Sequence, residues 1–77
     1  ERERTERKLK NQIKKYESLV QEKETETKQL DEIMAATDPE NRQKLTELAY
    51  QYEAVQLTLN DAIEKWTQAT EQYESLP

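Results

Sequence analysis

One spacing restricts the fold of this chain more than any other feature. Leu9, Ile13, Tyr16, Val20, Lys23, Thr27, Leu30 and Met34 follow one another at steps of four and three. Leu45, Leu48, Tyr52, Val55, Leu59, Ala62, Trp66, Ala69, Tyr73 and Leu76 repeat the pattern in the second half. A repeat of about 3.5 residues keeps one seam of an α-helix turned toward a partner helix. With 38% of its residues charged and 32% apolar, the chain has a composition that would also suit disorder. A disordered chain has no reason to hold this register. No glycine occurs, and no proline falls inside either run, so nothing weakens the helices from within. The sequence predicts an all-α fold, an antiparallel two-helix coiled-coil hairpin.

The two runs meet at Asp38-Pro39-Glu40. An N-cap oxygen, a ring preset for the first helical position and an acid at the positive end of the dipole read as a helix start. Pro39 also disfavours a helical Asp38. The expected boundaries are a helix over about 3–36, a turn at about 37–38 and a helix over about 39–76, all one domain. So short a break permits only neighbouring antiparallel helices. Pairs whose numbers sum to about 79 should then face each other, by the rise of the helix. Met34 would meet Leu45, Thr27 would meet Tyr52, Val20 would meet Leu59, Tyr16 would meet Ala62 and Ile13 would meet Trp66. Lys23 and Thr27 thin the seam in mid-arm, either with the Lys stem packed and its head in water or as a device fixing register. Tyr73 and Leu76 face Glu6 and Arg2, with no apolar partner at the open end. A seam this small yields only a few kcal/mol, so marginal stability or weak homo-oligomerisation is expected.

The missing residue types exclude most chemistry. Without Cys or His the chain has neither thiolate nor imidazole for a metal or a general base. Without Gly it has no phosphate-cradling loop and no nucleophile elbow. Acid groups such as Glu22, Glu24 and Glu26, or Asp31 and Glu32, fall on a solvated helix without a pocket to shift their pKa. No catalytic, cofactor-binding or metal-ligating residue is assigned, and the chain is read as not an enzyme. A mean hydropathy of -1.28 leaves no membrane-inserting segment. A chain opening on Glu1, with no signal-peptide pattern, reads as a piece of a larger, cytoplasmic protein.

Two surface features remain as candidate binding sites. The net charge of -5 hides an uneven distribution: residues 1–15 carry seven basic and three acidic groups, and residues 16–77 carry five and fourteen. The first segment is therefore +4 and the remainder -9. Arg4, Arg7, Lys8, Lys14 and Lys15 point away from the partner helix, which is the footprint of a polyphosphate backbone. Simple solvation of the helix is the alternative, helped by Glu3–Arg7 and Glu6–Lys10 pairs and by Glu64, Glu71 and Glu74 alongside. No base-reading motif accompanies the strip, so contact with nucleic acid would be backbone-directed and salt-sensitive. On the second helix Tyr50, Ala54 and Leu57 lie opposite the seam. They read either as ordinary scattered apolar residues or as a docking patch for another protein or a second copy. The matching positions of the first helix, Asn11, Ser18, Thr25 and Glu32, are polar throughout.

The Asp38-Pro39 turn, then Leu45, Leu48, Tyr52 and Leu59, then the single Trp66 and an acidic tail, resemble the C-terminal coiled-coil domain of ABC-F proteins. The resemblance covers nearly the whole chain, and its discriminating marks are the Asp-Pro turn and the Trp. It implies a parent with tandem ATP-binding cassettes and no membrane domain, which uses ATP and Mg and acts on the ribosome or translation. It implies that this hairpin is an accessory arm beside those cassettes, of a kind described in some members as DNA-binding. The aromatic, Pro-containing lead-in often seen before the first helix in that family is missing here. Self-association, and an RNA-binding arm of another translation factor such as a tRNA synthetase, stand as alternative readings.

Overall fold

The structure, a computed structural model, describes residues 2–77. Glu1, counted in the charge of the first fifteen residues, lies outside them. Two helices, α1 (Arg2–Ala36) and α2 (Arg42–Glu74), run antiparallel as a hairpin 59 Å long and 14 Å across. The seam follows the heptad reading. Leu9, Leu30, Leu48, Leu59, Ala62 and Ala69 are buried. Ile13, Tyr16, Val20, Lys23, Thr27, Met34, Leu45, Tyr52 and Val55 are half-buried beside them. Trp66 is the outlier, with 37% of its surface still exposed at the seam's edge. A globule of this mass, 9.2 kDa, would expose about 4,900 Å², whereas the hairpin exposes 6199 Å². Two helices have one contact stripe each and nothing to cover their backs.

The turn differs from the reading of the sequence. Helix α2 starts at Arg42, not near residue 39, and Asn41 is its N-cap, its Oδ1 accepting from the Lys44 amide at 3.2 Å. Asp38-Pro39-Glu40-Asn41 forms a β-turn closed by Asn41 N–H donating to the Asp38 carbonyl at 2.9 Å. The Asp38 carboxylate accepts from the Glu40 amide at 2.9 Å. Asp first and Pro second suit such a turn as well as they suit a helix start. The cap goes to Asn41 because Pro39 and Glu40 are spent on reversing the chain. At the other end α2 stops at Glu74, where Ser75 returns both its amide and its hydroxyl to the Glu71 carbonyl. Helix α1 closes with the Thr37 hydroxyl donating to the Ile33 carbonyl at 2.7 Å.

Side-chain hydrogen bonds tie the two helices together in mid-arm and at the open end. Thr27 accepts a hydrogen bond from Gln56 across the seam, one helical turn from Tyr52, which is itself half-buried. Lys23 packs its stem in the seam, its side chain 21% exposed, and its ammonium pairs with Glu26 at 3.2 Å. At the open end Leu76 shares a cleft with the buried Leu9, and polar contacts are added beyond it. Tyr73 donates to the Glu6 carboxylate at 3.5 Å, and the Lys10 ammonium sits 5.7 Å from the Tyr73 ring centroid. A phenol, with its apolar body and polar tip, suits a helix end where the apolar seam meets water. Among the described residues no helix is long and apolar enough to cross a membrane.

Candidate nucleic-acid interface

The basic strip is built by helical periodicity alone. Residues 4, 7, 8, 11 and 15 recur at steps of three and four, so they share one face of α1. The buried Leu9 and the half-buried Ile13, Tyr16 and Val20 hold the opposite face against α2. Arg4, Arg7, Lys8, Lys14 and Lys15 are all exposed. Arg4, Arg7, Lys8 and Lys15 surround one shallow, open depression with Asn11 and Gln12. Lys14 lies outside it. From Arg4 to Lys15 the strip covers about 17 Å at ~1.5 Å of rise per residue. Beyond Lys15 the same face continues through Ser18 to Glu22, and the positive run ends there.

None of the five cations is held in an ion pair among the described residues. The pairs that do form are Glu6–Lys10 at 3.6 Å, Lys23–Glu26 at 3.2 Å and Asp61–Lys65 at 3.1 Å. The expected Glu3–Arg7 pair is absent. At so exposed a position, fixing two long side chains costs about as much as the attraction returns. Glu64, Glu71 and Glu74 likewise form no ion pair with the strip among the described residues, although Lys8 reaches a cleft it shares with Gln72 and Leu76 of α2. The Lys15 ammonium lies 6.0 Å from the Tyr16 ring centroid, a contact that leaves its charge unneutralised. Asn11 and Gln12 were not singled out from the sequence as part of this site. Their spacing from Lys8 and Lys15 is the signal that would have found them, since it puts two amide side chains among four cations.

The second candidate, on α2, also lies in the open. Tyr50 and Leu57 are 69% and 66% exposed, and Ala54 is exposed between them. Ala54 also lines a groove between the helices with Leu30, Ile33 and Val55, and the polar Glu26, Gln29 and Gln51 complete its lining. Ile33, 44% exposed, extends this apolar surface onto α1. The heptad wheel of a single helix does not reveal that, because the groove has one wall on each helix. The acid groups Glu22, Glu24 and Glu26 do not converge, and among the described residues no group of three could hold a metal ion.

No protein-family model, curated protein or solved structure matches this chain.

Proposed function

We propose that the hairpin is a non-catalytic coiled-coil arm that contacts the phosphate backbone of a nucleic acid through the outer face of α1. One observation carries this reading: Arg4, Arg7, Lys8, Lys14 and Lys15 stand exposed on one helix without ion-pair partners, and four of them surround a common depression. Cations left free on one side of a rod 59 Å long can release the counterions of a polyphosphate on binding. Asn11 and Gln12 add neutral donors to phosphate or sugar oxygens. The resemblance in the Asp38-Pro39 turn and Trp66 extends the proposal. The parent is a cytoplasmic ABC-F-like ATPase, its cassettes use ATP and Mg, and its nucleic acid is DNA or ribosomal RNA. The arm of another translation factor would use the same face in the same way.

An electrophoretic shift with duplex DNA and with structured RNA tests the contact. Replacing the five cations together by Glu should abolish binding, and unchanged affinity would overturn the proposal. For the unaltered hairpin, the logarithm of affinity should fall with the logarithm of salt at a slope of about -3 to -5, as four or five phosphate contacts require. The parent's identity has its own test, since tandem cassettes should be encoded upstream of Glu1 in the same reading frame.

A further inference from the structure

We infer that the tip half of the hairpin is a docking surface for an amphipathic helix flanked by Lys and Arg. The surface starts in the groove lined by Leu30, Ile33, Val55 and Ala54 and continues around α2 to Tyr50 and Leu57. Tyr50 and Leu57 are seven residues apart, two turns or about 10.5 Å along α2. That is the repeat at which a third helix presents its own apolar stripe. Apolar side chains on both helices, joined through Ala54 and interspersed with the polar Gln29 and Gln51, are what helix-in-groove recognition uses.

Charge chooses the occupant. Glu47 and Glu53 lie one turn to either side of Tyr50 on exposed positions and form no ion pair among the described residues. Glu26 also lines the groove but is already paired with Lys23, so the unpaired charge is that of Glu47 and Glu53. Residues 20–58, the tip half, hold nine acidic and four basic groups, a net -5. A second copy docking the same surface face to face would set these carboxylates against each other, a like-charge contact that costs rather than contributes. Nor can a second copy offer its basic end as an apolar stripe, because the face of α1 that carries Arg4 to Lys15 continues with Asn11 and Ser18. A helix with an apolar stripe and cationic flanks satisfies both the groove and its rim. This surface shares no residue with the basic strip, so the two proposals can fail separately.

The test uses the whole hairpin and two labelled helical peptides of about three heptads, with Leu at the a and d positions. One carries Lys at e and g, the other Glu. In fluorescence anisotropy the Lys peptide should bind at least about tenfold more tightly than the Glu peptide. The variants Ile33→Glu and Leu57→Glu should each weaken its binding by about tenfold or more, as loss of central apolar contacts does. Both residues are exposed, and unchanged helicity and melting would show that the fold survives. Each variant adds negative charge, so adventitious attraction of a cationic peptide would instead grow. Equal binding of the two peptides, binding of neither, or tighter binding to the variants would overturn the inference. So would a hairpin dimer in sedimentation equilibrium that Leu57→Glu dissociates, which would give the surface to a second copy.

Discussion

Gln56 reaches across the seam from α2 to donate its Nε2–H to the Thr27 hydroxyl of α1 at 3.4 Å. The same hydroxyl donates to the Lys23 carbonyl one turn back at 2.9 Å. This polar bridge sits in mid-arm between the buried Leu30 and Leu59 and ties one residue to one partner where apolar side chains would tolerate sliding. At 3.4 Å the hydrogen bond is long, and its net contribution is small. Replacing both partners by apolar residues should therefore stabilise the hairpin. Thr27→Val with Gln56→Leu should raise the unfolding free energy in urea by about 1–2 kcal/mol. Thr27→Val alone should leave it nearly unchanged, because the half-buried Gln56 amide can turn to water. A double variant less stable than the unaltered chain would mean that the bridge holds the arm together.

The turn makes a second prediction. Asn41 caps α2 through the Lys44 amide, whereas Asp38 serves only the β-turn before it. Asn41→Ala should cost about 1 kcal/mol in a thermal melt followed by circular dichroism. Asp38→Ala should cost less, because its Glu40 partner is exposed and can bond to water. The reverse order would return the cap to Asp38.

These two sites show what the sequence could and could not reveal. The seam was legible residue by residue because its cause is periodic: every side chain that must be covered recurs at the pitch of the helix. The cap was not legible, since Asp38-Pro39 and Asn41 are both competent and only the number of residues needed to reverse the chain decides between them. The basic strip could be read because a single helix presents it. The tip groove could not, because Ile33 and Ala54 become neighbours only once two helices are packed in a particular register.

Burial separates two leucines that are chemically identical. Leu48 is 6% exposed in the seam and Leu57 is 66% exposed on the back of the same helix. Leu48→Ala should cost about 2 kcal/mol or more in urea denaturation, through lost burial and the cavity left behind. Leu57→Ala should change stability by less than about 0.5 kcal/mol. Comparable losses at both positions would mean that the free chain already covers Leu57, through self-association or a different helix pairing.

The open end should respond to alkali before the tip does. Lys10 has its pKa raised above the ordinary 10.5, first by hydrogen bonding to the Tyr73 hydroxyl, then by the charge of Tyr73 and of Glu6. A lysine whose folded pKa exceeds its unfolded value contributes stability that is fully present below the unfolded pKa and is lost as pH rises through the folded one. Little should therefore change up to about pH 10, near the ordinary lysine value, and the end that Tyr73 closes should loosen above it. Lys65 has a raised pKa as well, chiefly through a hydrogen bond to Asp61, so it adds a background decline over the same interval. Lys10→Met separates the two. Its melting temperature, followed by circular dichroism, should fall less steeply than that of the unaltered chain above about pH 10.5, while the two curves run parallel from pH 7 to pH 9. Parallel curves throughout would mean that Lys10 and Tyr73 touch without contributing to the closure of the hairpin's open end.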